Sequence, residues 1–230
     1  MIDDSFDYIE QATPPRIPFP LPGPGAYAPS VTNNGLDIVD LDQRAVELSA
    51  QIVARAAASD LGRPTPCAAW TVGELLDHMI TQHYGFAAAS SGRGGDPGVW
   101  QLVHPADPIA DYPAAARHVI DAFARPETLE RSFELPEISP ALKFPAARAI
   151  SFHFVDYIVH GWDVARSLDV PFELSPDLAE AALVIARRVP DGESRLAEGA
   201  AFRPGIPSPP DGTALDQVLA ALGRSPAWRP

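Results

Sequence analysis

The chain has 230 residues and a formal charge of −13, which argues against sequence-independent binding to nucleic acid or to an anionic membrane, since both need basic surface. Cys67 is the only cysteine, so no intrachain disulfide can form, and a reducing compartment fits. The acidic N-terminus lacks the apolar core of a signal peptide and no run approaches about 18 apolar residues free of charge, so the expectation is a cytoplasmic protein acting on a small molecule, with a homodimer allowed.

The 26 prolines cluster towards the two ends. Residues 1–36, with TPPRIPFPLPGPGAYAPS, cannot form regular helix or sheet, because successive prolines remove N–H donors and fix φ. They read as an extension, either a free tail or a strap across the domain. Ile17, Phe19, Leu21 and Tyr27 are unusually apolar for the former. Residues 37–230 must then carry the fold. Leu41 to Asp60 places Leu41, Ala45, Leu48, Ile52 and Ala56 at helical spacing, a first helix. Thr71 and Glu74 have capping-box spacing and open a second, with Val72, Leu75, Leu76, Met79, Ile80 and Phe86 on its apolar face. Ser90 to Gly98 is glycine-rich but lacks Gly-Lys-Ser/Thr, so it reads as a plain connection. A third helix is expected over Tyr112 to Ala124, a short extended segment over Leu129 to Leu135, and Pro145 in the first turn of a long central helix. Leu178 to Val189, opened by Ser175 and Pro176, and Thr213 to Leu222, closed by Gly223, complete the helices. Almost no β signal appears. The pattern predicts an all-α bundle of four principal helices with a long crossover between the second and third.

The central helix, AISFHFVDYIVHGWDVARS from Ala149 to Ser167, is apolar nearly all round and belongs in a core. At the helical turn angle, Asp156 lies about 60° and His160 about 20° from His153, so the three share one stripe. Burying them unpartnered would cost several kcal/mol, and a divalent metal neutralises such a set most completely. Asp156 and His160, one turn apart, suit a pair of ligands with a third from elsewhere. The second helix offers His78 and His83, of which periodicity favours His83. The alternative is that the histidines are satisfied core residues and Asp156 pairs with Arg148 or Arg117.

Three stretches, PCAAWTVGELLDHM (Pro66 to Met79), HFVDYIVHGWDVA (His153 to Ala165) and LDQVLAALGRSPAW (Leu215 to Trp228), resemble the DinB-type metalloenzymes. Within them, the likeness is to actinobacterial relatives of the N-terminal domain of mycothiol-dependent maleylpyruvate isomerase. The resemblance implies a DinB-like four-helix bundle in which His78, Asp156 and His160 bind a divalent metal, zinc being usual. It also implies mycothiol as co-substrate. The isomerase has glutamate where this chain has Asp156, and an arginine from a C-terminal domain for which this chain has no room, so maleylpyruvate isomerisation itself is not expected. His153 is a candidate fourth ligand, supporting residue or general base, and His83 a substrate contact or acid–base group, with a hydrogen-bonded core role as the alternative. Asp163 is expected to orient a neighbouring side chain. Cys67 reads as a small buried residue more readily than as a nucleophile, and Trp70 and Trp162 as core or pocket wall. The functional expectation is a metal-dependent enzyme using a low-molecular-weight thiol for S-transfer or thiol-assisted isomerisation. A thiol-independent Lewis-acid isomerase, cyclase or hydrolase, or a non-enzymatic metal-binding protein, would fit the same residues.

Overall fold

The computed structural model describes residues 37–67, 70–196 and 202–230; the extension expected over residues 1–36, with Ile17, Phe19, Leu21 and Tyr27, lies outside the described residues. Helix α1 runs Ile38–Val53, opened by Asp37, whose carboxylate accepts the Val39 N–H at 2.9 Å. It stops well short of the expected Asp60. The chain turns back so that the carbonyls of Arg63 and Leu61 accept the N–H groups of Val72 and Gly73 at 3.0 and 2.8 Å, donors that a helix start would otherwise leave orphaned. Those residues begin α2, Val72–Ser90, through the expected capping box: Glu74 accepts the Thr71 N–H at 2.8 Å, and Thr71 Oγ1 accepts the Glu74 N–H at 3.4 Å. Gly85 lies inside α2 because any Cβ there would strike the ring of Trp100. That ring stitches the long crossover, residues 91–107, to the bundle, its indole N–H donating to the Gly94 carbonyl at 2.7 Å.

Helix α3 spans Pro108–Phe123 and starts ahead of the expected Tyr112. Asp107 accepts the Ala110 N–H at 3.0 Å, and Pro108 occupies the first position, where its missing N–H costs nothing. The expected extended segment is narrower than Leu129 to Leu135. Thr128–Glu130 forms a 3-10 turn, and β1, Ser132–Glu134, pairs antiparallel with β2, Lys143–Pro145, setting buried Phe133 opposite Phe144. Pro145 therefore ends a strand and precedes α4, Ala146–Ser167, rather than lying within its first turn. Helix α5 is Pro176–Ala186 and α6 is Ala214–Ala221. Ser175 precedes α5, but its hydroxyl accepts from Arg44 at 3.1 Å instead of capping.

Helix α1 packs on α3 and α4, α2 packs on the same two, and α5 and α6 pair beside α4. This is the expected all-α bundle, with a two-stranded hairpin added among the described residues. Helix α4 is its axis: Phe154, Ile158, Val159 and Val164 are fully buried, and each such side chain contributes about 1.5–3 kcal/mol relative to exposure. Among the described residues no helix is long and apolar enough to cross a membrane.

Candidate metal centre

Helix α4 carries Asp156 and His160 one turn apart, and α2 brings His78 to meet them. Each offers one ligand atom, and the three atoms lie within 4.8 Å of one another, with His160 buried and the other two half-buried. The His160 Nε2 is 3.4 Å from Asp156 Oδ1. The His78 and His160 rings stand nearly perpendicular, centroids 5.3 Å apart, and Trp70 stacks on His78 at 4.5 Å. Burial, reinforced by the neighbouring His160 and opposed by Asp156, lowers the His78 pKa to about 4. At neutral pH its imidazole is therefore uncharged, the form that coordinates a cation. Two imidazole nitrogens and a carboxylate, two of the residues partly exposed, are donors of the kind that can hold a divalent ion.

Behind the donors stands a second tier. His160 Nδ1 is 3.1 Å from Asp163 Oδ2, and the Asp163 carboxylate also receives the Arg224 guanidinium, Nε to Oδ1 at 3.2 Å and Nη2 to Oδ2 at 3.2 Å. Asp163 and Arg224 are both buried. Burial favours the neutral acid, but Arg224 and His160 outweigh it and hold the Asp163 pKa below the usual carboxylate range. Burial likewise disfavours charge on Arg224, yet Asp163, Cys67 and Asp156 together keep its pKa above the usual value. A carboxylate gripping the far nitrogen of a ligand histidine is the usual support of a metal site.

Glu137 comes from the loop between β1 and β2 and is close enough to Asp156 to feel its charge. Its Oε2 accepts from the side-chain amide of Gln82 at 3.0 Å. Gln82 lies one turn along α2 from His78. Burial raises the Glu137 pKa more than the Gln82 bond lowers it, and the charge of Asp156 raises it further.

The structure brings His83 and His153 to each other instead of to this group. His83 Nδ1 is 3.3 Å from His153 Nε2, and His153 Nδ1 is 2.7 Å from Asp42 Oδ1 on α1. All three are wholly buried, and His83 lies face to face with Tyr157 at 4.1 Å. The Tyr157 hydroxyl donates to the Met79 carbonyl, and Tyr112 shares a 2.8 Å bond with Ser49. Tyr112 also packs against His83, at 5.3 Å, and Tyr157 against His153, at 4.1 Å. Burial first, then His153, pushes the His83 pKa well below its ordinary value, while burial raises that of Asp42 against the pull of His153. His83, which periodicity favours as a ligand, is thus a core residue, and His78 takes the position among the donors.

Cys67 is partly buried at the approach to α2 and close enough to Arg224 to bias its charge. Trp162 is buried beneath Arg166, whose guanidinium lies 5.8 Å above the indole ring. Sequence reasoning missed Asp42, Glu137 and Arg224. Of these, Asp42 has a readable signal: it falls with Ala45, Val46, Ser49 and Ile52 on the buried face of α1.

Comparison with known proteins agrees with this architecture. An uncharacterized protein of Mycobacterium tuberculosis, present in strains CDC 1551 and H37Rv, is 29% identical over 190 residues, covering 83% of this chain and 99% of the relative. The crystal structure of the mycothiol-dependent maleylpyruvate isomerase superposes with a TM-score of 0.53 over 83% of this chain and 89% of that one, at 12% identity, a likeness of fold. Residues 43–165, over half the chain, match the family model described as the mycothiol maleylpyruvate isomerase N-terminal domain. With α2, α3 and the three residues that meet on α2 and α4 falling inside that match, the chain belongs to the mycothiol maleylpyruvate isomerase N-terminal domain family.

Proposed function

We propose that the chain is a metal-dependent enzyme that holds a divalent cation, zinc, between His78, Asp156 and His160. It uses a low-molecular-weight thiol such as mycothiol for S-transfer or thiol-assisted isomerisation of a small electrophilic metabolite. One observation carries the reading: three donor atoms from two helices lie within 4.8 Å of one another, and the imidazole of His78 is held neutral. Membership of a family named for mycothiol and maleylpyruvate supports the thiol. When bound, a divalent ion supplies Lewis acidity and favours the thiolate form of a thiol at its open position. The chain's own residues do the rest. Asp163 fixes the His160 ring, Trp70 covers His78, and Glu137, its pKa raised by burial and by the charge of Asp156, is the acid–base group beside the donors. His83 and His153, wholly buried and 3.3 Å apart, brace α2 against α4 in the core, away from substrate. The same reading assigns the chain to the cytoplasm, with no nucleic-acid or membrane partner and with homodimerisation compatible.

The test is elemental analysis of protein purified without a metal-affinity tag, followed by mycothiol titration of a cobalt-substituted sample. One cation per chain, lost in Asp156→Ala and His78→Ala, and a thiol-dependent change in the cobalt spectrum are expected. Full metal content in His78→Ala would disprove the donor set. Turnover of small electrophiles without thiol would move the assignment to a Lewis-acid isomerase, cyclase or hydrolase, and bound metal without any turnover to a non-enzymatic binder.

A further inference from the structure

The C-terminal segment after α6 enters the core instead of trailing away. Gly223, with φ of +76°, makes the turn; a Cβ there would come within 2.6 Å of the Arg203 carbonyl oxygen, so only glycine fits. The turn is closed by the Arg224 N–H donating to the Leu219 carbonyl at 2.8 Å, and the segment is pinned again where Arg166 donates to the Trp228 carbonyl at 2.8 Å. Arg224 is left 3% exposed, its fork laid along the Asp163 carboxylate.

We infer that Arg224, acting through Asp163, is a positioning residue that fixes His160 with a proton on Nδ1 and its Nε2 turned towards Asp156 and His78. The effect on a cation rests on the metal reading above; the effect on His160 does not. The argument is one of valence. Asp163 Oδ1 takes the Arg224 Nε–H, and Oδ2 takes the Nη2–H together with the His160 ring nitrogen at 3.1 Å. With guanidinium donors on both of its oxygens, the carboxylate is the acceptor in its contact with Nδ1, so Nδ1 carries a proton and Nε2 is the nitrogen left to offer a lone pair to a cation. That nitrogen is the one 3.4 Å from Asp156 Oδ1. Two parallel bonds from a planar guanidinium also set the plane of the carboxylate, and with it the tilt of the His160 ring. A lysine would supply the charge without the fork. The sequence distance of 61 residues between Arg224 and Asp163 makes this a tertiary device, joining the C-terminal segment to α4.

Histidine ring nitrogen-15 shifts of the metal-free wild type at neutral pH read the tautomer directly, and competition against a chelator reads zinc affinity. The expected result is His160 protonated on Nδ1 in wild type and mixed in Arg224→Gln. Zinc should bind about 10- to 100-fold more weakly in Arg224→Gln, with Arg224→Lys between the two. Circular dichroism confirms that each variant is folded, and the wild-type tautomer and Arg224→Lys carry the test if Arg224→Gln is not. A wild-type His160 protonated on Nε2, or a folded Arg224→Gln with wild-type affinity and tautomer, overturns the inference. A wild type that binds no zinc, yet shows the Nδ1 tautomer lost in Arg224→Gln, upholds the positioning role and refutes the metal reading.

Discussion

The bundle holds two histidine clusters on the same pair of helices. At one level, His160 of α4 faces His78 of α2; further along, His153 faces His83. In both, a carboxylate grips the Nδ1 of the α4 histidine, Asp163 for His160 and Asp42 for His153. What differs is the view from Nε2. For His160 it opens onto Asp156 and half-exposed His78; for His153 it meets another buried imidazole. The same dyad thus presents its second nitrogen to a partly exposed group of candidate donors in one place and to a closed core in the other.

Breaking the closed cluster should have the largest effect on stability. Asp42→Ala leaves the His153 Nδ1 without its acceptor in a fully buried position, so urea unfolding should show a loss of about 3 kcal/mol, with metal content per folded chain unchanged. A loss of metal would show the two clusters to be one site. His78→Ala should do the reverse: zinc binding disappears, while the metal-free protein loses only about 1 kcal/mol, the worth of the Trp70 stack.

Acid should separate the clusters more gently. Histidine in the unfolded chain takes a proton near pH 6.5, whereas folded His83, through burial and then His153, refuses it. Below that pH the unfolded state binds more protons, so the stability that neutral His83 contributes is present above pH 6.5 and declines as pH falls. His78 adds a loss that runs from pH 6.5 down to about 4. Denaturant unfolding of metal-free protein should follow this course, and His83→Asn should flatten it; an unchanged slope would mean that His83 is already charged in the fold. The smallest effect belongs to a position in neither cluster. Asp169 closes α4 at φ of +56°, and Asp169→Gly should raise thermal stability by about 0.5–1 kcal/mol with metal affinity unaltered.

The division between the clusters was hidden in the sequence by a simple geometric fact. His153 and His160 lie about 20° apart around the helix, which makes them look like one stripe, but seven residues separate them by about 10 Å along the axis. Angle alone joined what rise keeps apart. The same bias favoured His83 over His78: periodicity finds the centre of the core, and the donors gather at its edge. Resemblance, not spacing, pointed to His78. Helix starts were legible where a capping residue announces them, as at Thr71, and less so where a proline could be read two ways, as at Pro108 and Pro145. Glu137 and Arg224 gave no local signal, because a hairpin loop and a C-terminal turn acquire meaning only when folding brings them to α4.

The guanidinium that steadies Asp163 lies 61 residues further along the chain. During synthesis, His78, Asp156 and His160 leave the ribosome well before Arg224 does, and a nascent polypeptide must hold its imidazole by the carboxylate alone. The Asp163–Arg224 pair therefore forms only once α5 and α6 have also been made, and a copy that stops before Arg224 buries the Asp163 carboxylate with no guanidinium beside it.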